Sequence, residues 1–317
     1  MKYSKSTIRA LWQSIARNLF TKSLALPMAF ATSILLARLM GPENFGRYSI
    51  LLSLATVLAS GVIRAQSVIL VREVAGALKL KRYSKIWGSA ILALLCGLLL
   101  IFFIWLVDFF KLYNGDNLPD YLIQIVLLLL IVSFIGSFLR GLDFTASGLF
   151  VEQAIRPIAM CGSLFIFWIL LYEGEKQSLN FGILSLIFGL FIAIIIGSLL
   201  LLVSIKVIPF EKPEIEMRWI RLSLPLLLVL GYCLGLNSQL PILLMGLYVE
   251  SVEIANYRVA ESMAGLIGIA LLAANVALGP KLAASIAEGD KEKFKIHAFT
   301  TDKIIFFADN GLSLIHI

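Results

Sequence analysis

Apolar residues run along this chain in blocks long enough to cross a lipid bilayer, separated by short polar stretches. A helix rises 1.5 Å per residue and the hydrocarbon core is about 30 Å thick, so a span needs roughly 20 apolar residues. Eight blocks satisfy this: Ser14–Leu39, Tyr48–Val71, Ile86–Val107, Tyr121–Leu139, a fifth opening near Leu149 or Pro157 and closing at Tyr172, Leu179–Ile205, Leu222–Val249 and Tyr257–Leu278. The predicted class is an all-α polytopic membrane protein with about eight transmembrane helices. After the eighth block, IIFF at 304–307 opens like another span and breaks at Ala308–Gly311. The tail from about Thr301 is therefore expected to be a truncation or a non-native end.

Composition agrees with this pattern. Of the 317 residues, 60% are hydrophobic and 15% charged, against about 25% charged in soluble proteins. Cys96, Cys161 and Cys233 each sit in an apolar block without metal-ligand spacing, so neither a disulfide framework nor a metal site is expected. Arg9, Trp12, Gln13, Arg17 and Asn18 interrupt what would be the apolar core of a signal peptide, so the first helix is expected to stay. The net charge of +7 follows topology rather than nucleic acid. Most of the 27 Lys and Arg fall in the N-terminus, the second, fourth and sixth loops and the region after span eight, the fourth loop holding Arg140 and Arg156. Inserted segments resist translocating positive charge, so the N-terminus is expected in the cytoplasm of a multi-pass inner-membrane protein.

Arg64 is the basic residue set deepest in an apolar block. Placing Arg near a helix centre costs about 2.5–3.5 kcal/mol on insertion scales, so it should face a watery cavity or a partner. Two readings stand: contact with an anionic substrate, or a structural role in which it snorkels or pairs with Gln66. Arg17 and Lys22 are either cavity cations or part of the positive-inside signal. Pro27 in span one, and Gly235, Asn237, Gln239 and Pro241 in span seven, make these the most irregular helices. Interruptions of this kind point to a substrate site and to hinges at Pro27, Gly235 and Pro241; for Gly231 and Gly235 the competing reading is close packing of small residues. Glu261 is expected to pair with Arg258 at the outer interface. GPENFGRY at 41–48 has the glycine spacing of a phosphate loop but lacks its Lys and Ser/Thr, and reads as a turn between antiparallel helices. Ile34–Ser49 and Ile242–Val259 share aliphatics, a polar turn and a Tyr in the same order. Such a repeat implies two lobes: a six-helix unit over 1–207, and the first two helices of a second, incomplete unit over 208–317.

LLARLMGPENFGRYSIL, Leu35–Leu51, resembles the N-terminal hairpin of the Wzx-type O-antigen flippases, polysaccharide biosynthesis proteins of the MOP superfamily; ARLMGPENFGRYS is its specific part. The resemblance covers residues 10 to 300. It implies a two-lobe helical transporter with spans one, two, seven and eight around a central cavity. It also implies a partner, an undecaprenyl-pyrophosphate-linked oligosaccharide, carried between leaflets for O-antigen, capsule or exopolysaccharide assembly. Membrane lipids and other glycan-assembly membrane proteins are further expected partners; no cofactor, metal, catalytic residue or nucleic acid is expected. Arg64, Arg17, Lys22, Gln66, Asn237 and Gln239 are the candidate substrate contacts. Two alternatives remain: a multidrug exporter of the same superfamily, which should hold an acid deep in a span, and a membrane-embedded O-antigen polymerase or ligase, which should carry a larger outer loop. No Asp or Glu is expected near a span centre.

Overall fold

The computed structural model describes residues 5–109, 121–170, 178–206 and 208–265; the tail from Thr301 and most of the eighth span lie outside them. Among the described residues there is no strand, and seven helices are long and apolar enough to cross a membrane. They are α1 (Lys5–Met40), α2 (Pro42–Lys79), α3 (Tyr83–Phe109), α4 (Leu122–Gly141), α5 (Thr145–Leu149, a π-helical turn over Phe150–Ile155, then Arg156–Leu170), α6 (Leu179–Ile205) and α7 (Met217–Leu226, a π-helical turn over Leu227–Cys233, then Leu234–Tyr248). A further helix, α8, covers 251–265 and begins the eighth span.

Helices α2 and α4 form the centre. Of the most apolar stretch of each, 56% and 67% is buried, against 17% for α3. The reason is visible in side-chain size: Ser49, Ser53, Ser60, Ser133 and Ser137 are buried on these two helices. Small hydroxyl residues let backbones approach; Ser49 satisfies its own donor by bonding back to Phe45 O at 2.8 Å, whereas the buried Ser53 Oγ has no partner among the described residues. Leu94, Leu98 and Phe102 on α3, and Phe188, Ile195, Leu199 and Leu202 on α6, point outward, a lipid-facing stripe.

Two expected boundaries move. Helix α2 starts at Pro42, not Tyr48, so most of GPENFGRY is already helical; the break is Gly41 alone, at φ 78°, with proline in the first turn. At 38 residues it runs about 57 Å, well beyond the hydrocarbon core. The fifth helix opens at Thr145, upstream of both expected starts, and so takes Glu152 and Arg156 into the membrane-spanning segment. Helix ends at Met40 and Tyr248 stand 208 residues apart, each followed after a short break by another helix.

Between α6 and α7, residues 208–216 are strapped across the start of α3. Trp87 Nε1 donates to Pro209 O (3.2 Å), and the Trp87 and Phe210 rings meet at 5.2 Å. Ser84 N donates to Glu211 Oε2 (2.9 Å), placing a carboxylate at a helix N-terminus, where backbone N–H groups favour it. Glu214 N donates to Ser84 O (3.1 Å), and Lys85 forms a salt bridge with Glu216.

Candidate functional site

On α2, Thr56, Ser60, Arg64, Ser67 and Val68 recur at helical spacing and line one wall of a cavity of about 470 Å³. Ser133 and Arg140 of α4, Glu152, Gln153 and Arg156 of α5, Leu190 of α6 and Leu234 of α7 complete it. The first π-helical turn borders this space, and the second ends one residue before Leu234. The π turn over Phe150–Ile155 places Glu152 and Gln153 in the cavity wall. The second π turn packs Gly231 against Gly61, where Ser60 Oγ donates to Gly231 O at 3.3 Å.

Three guanidinium groups and one carboxylate line the cavity, so its charge is positive. Arg140 Nη2 donates to Glu152 Oε1 (2.8 Å), Ser67 Oγ (2.9 Å) and Ser137 Oγ (2.9 Å), tying α2, α4 and α5 together. Its buried Nε has no acceptor among the described residues. Arg64 and Arg156 have no salt-bridge partner among the described residues. Unneutralised cations in a space walled by apolar helices attract anions far more strongly than they would in water. This is chemistry for holding an anionic group.

A second polar cavity, of about 230 Å³, is lined by Ser33, Tyr48, Arg156, Arg258, Glu261 and Ser262, among others. The expected Arg258–Glu261 pair is present at 2.8 Å. A third cavity, about 470 Å³ and almost wholly apolar, lies on another face of α2 against α3 and α7, with Val62, Ile69, Leu92, Leu224 and Leu227 in its wall. Such a lining suits hydrocarbon, not charge.

The candidate residues distribute unevenly. Arg64 lines the cationic cavity. Gln66 does not join it: two positions on, it faces α3, donates to Ala93 O and borders the apolar cavity. Arg17 is exposed and Lys22 half-buried on α1, and neither lines a described cavity. Asn237 is exposed and Gln239 half-buried on α7, outside the cavity walls. Pro27 and Pro241 sit inside α1 and α7, both exposed, and Gly235 is buried, its missing side chain making room for Ser60.

Arg140, Glu152 and Arg156 were not among the candidates. Both arginines were assigned to a loop, and no acid was expected near a span centre; instead Arg140 lies in the last turn of α4, and Glu152 and Arg156 lie within the helix that opens at Thr145.

A family model described as "Polysaccharide biosynthesis protein" matches residues 11–285. Among solved structures, an inward-facing multidrug resistance MATE family transporter of the MOP superfamily superposes with a TM-score of 0.63 at 14% identity, over 92% of this chain and 68% of that one. A eukaryotic MATE transporter gives a TM-score of 0.48 at 13% identity, over 91% of this chain and 68% of that one. Comparison with curated proteins gives no match. At 14% identity the first of these likenesses shows a shared fold.

Proposed function

The chain belongs to the polysaccharide biosynthesis protein family, and on that premise we propose that it flips undecaprenyl-pyrophosphate-linked glycan units across the inner membrane for O-antigen, capsule or exopolysaccharide assembly. The family and the fold point to a transporter rather than an enzyme. The observation that carries the proposal is the cationic cavity: Arg64, Arg140 and Arg156 against Glu152 alone. A pyrophosphate diester bears one negative charge on each phosphoryl group, and a lining of three guanidiniums and one carboxylate offsets that charge.

Flipping such a lipid requires hiding a pyrophosphate and sugars from hydrocarbon while the isoprenoid tail stays in lipid. Arg64 and Arg156 engage the pyrophosphate directly, and Arg140, already held by Glu152, adds its field and its unpaired Nε. Arg17 and Lys22 draw the head group towards the cavity mouth: by helix rise, Arg17 and Arg64 stand about 35 Å and about 33 Å from the Gly41 turn, nearly level. The end carrying Lys79, Lys81, Arg82 and Lys85 is cytoplasmic, as is the N-terminus. The first six helices form one lobe, α7 and α8 open a second, and the lobes rock about Pro27, Gly235 and Pro241 to expose the cavity to each leaflet in turn.

Arg64→Ala and Arg156→Ala, introduced into the native gene of the host, should each reduce surface glycan and leave lipid-linked glycan accumulating inside. Normal surface glycan with Arg64→Ala overturns its role. The exporter reading has one observation in its favour, the acid Glu152 within a span. It requires Glu152→Gln to abolish drug resistance while surface glycan is untouched.

A further inference from the structure

We propose that the second polar cavity is a glycan subsite, joined end to end with the cationic cavity through Arg156, so that one head group occupies both. This rests on reading the first cavity as the lipid-pyrophosphate site. Arg156 lines both spaces. Helix α2 presents Tyr48 and Leu52 to the second cavity and, one turn further on, Thr56 and Ser60 to the first. Helix α6 does the same with Leu186 and Leu190, and α5 with Met160 and Glu152 on either side of Arg156. Three helices thus pass from one cavity to the other in register, and the stacked pair follows the helix axes. From Tyr48 to Arg64 the path measures about 24 Å along α2, long enough for more than a pyrophosphate.

The two linings differ in chemistry. Around Arg64 and Arg140, cations dominate. In the second cavity Arg258 Nη1 donates to Glu261 Oε2 at 2.8 Å, so its own guanidinium is offset and what remains is a mixture of donors and acceptors. Ser262 Oγ and Ser33 Oγ bridge α8 and α1 at 3.2 Å, and Tyr48 and Phe45 add aromatic surface. Hydroxyls, a carboxylate, the two guanidiniums of Arg156 and Arg258 and aromatic rings match a sugar, which offers donors, acceptors and an apolar ring face together. The pyrophosphate therefore lies at Arg64, Arg140 and Arg156, and the first sugar lies among Tyr48, Arg258, Glu261 and Ser262. Selectivity for that sugar resides in this second set.

The test measures binding to the full protein in nanodiscs of two probes: undecaprenyl pyrophosphate, and the glycan-bearing undecaprenyl pyrophosphate purified from the host membrane. Wild type should bind the glycan-bearing probe more tightly. Glu261→Gln should weaken that probe about tenfold, the worth of one charged hydrogen bond, and leave the bare one unchanged. Tyr48→Phe and Ser262→Ala, milder changes that keep the packing, should shift the ratio the same way. Arg156→Ala should weaken both probes. Equal affinities in wild type, or a ratio unmoved by Glu261→Gln, Tyr48→Phe and Ser262→Ala, overturns the subsite while leaving the pyrophosphate site standing. If Arg64→Ala leaves both probes unaffected, the pyrophosphate reading falls, and the subsite with it.

Discussion

The Arg140–Glu152 pair should be costly to break from one side and cheap to remove whole. Both side chains are mostly buried, at 20% and 15% exposure, so water repays little of what an unpaired charge loses. Arg140→Leu strips Glu152 of its 2.8 Å partner and leaves Ser137, at 3.2 Å, as its remaining support. One-sided removal of a buried pair costs about 3–5 kcal/mol, and the residual exposure places this site near the lower end. Glu152→Gln is milder, because the amide oxygen still accepts from Arg140, whose other bonds to Ser67 and Ser137 are untouched. The double variant Arg140→Leu with Glu152→Leu removes both charges and should regain most of the loss. Thermal unfolding of the purified protein in detergent, run as a double-mutant cycle with Arg140→Leu and Glu152→Leu as the single variants, should show a coupling of about 2 kcal/mol or more. Additive effects, or Arg140→Leu no worse than Glu152→Gln, would refute the claim that Arg140 and Glu152 depend on each other.

Glycines give a paired prediction. A Cβ on Gly231 would stand 2.7 Å from Gly61 O and overlap Gly61 Cα, so Gly231→Val should push α7 off α2 and destabilise the protein by about 3 kcal/mol in the same unfolding assay. Gly76, with open space around it, should accept alanine with a gain of roughly 0.4–1 kcal/mol. On the 208–216 strap, the Lys85 hydrogen bond holds the Glu216 carboxyl below its usual range. A depressed folded-state pKa contributes stability that is present above the ordinary carboxylate pKa and is lost as pH falls through the lowered one. Hydrogen exchange of the strap should therefore rise below the ordinary carboxylate range, and Glu216→Gln should abolish that acid dependence.

The spans were legible because lipid-facing α3 and α6 are almost uniformly apolar, and the hairpin at Gly41 announces itself through Gly-Pro. Arg64 stood out because it interrupts a long apolar run. Arg140, Glu152 and Arg156 stayed hidden for a physical reason: Arg140 is in the last turn of α4, and Glu152 and Arg156 are in the first half of α5, where a charged residue facing a cavity looks in sequence the same as one in the preceding loop. The four-residue spacing of Glu152 and Arg156 was a helical signal, and it could have moved the fifth helix upstream. It would still have suggested the wrong pair, because the π turn over Phe150–Ile155 alters the register and Glu152 pairs with Arg140 instead. Gln66 shows the reverse limit: two residues from Arg64 in sequence, it points to another face of α2.

Leaflet transfer is the direct readout of whether the cationic cavity carries the lipid-linked head group. The protein is reconstituted into vesicles with a fluorescent glycan-bearing undecaprenyl pyrophosphate, and the rate of its appearance in the opposite leaflet is followed for wild type, the Arg64→Ala, Arg156→Ala double variant, and Lys206→Ala as an exposed-site control. Wild type and Lys206→Ala should transfer the lipid at equal rates, with the double variant slower by about tenfold or more, since each arginine contributes a charge-assisted bond. Transfer by the double variant at the wild-type rate would contradict the account.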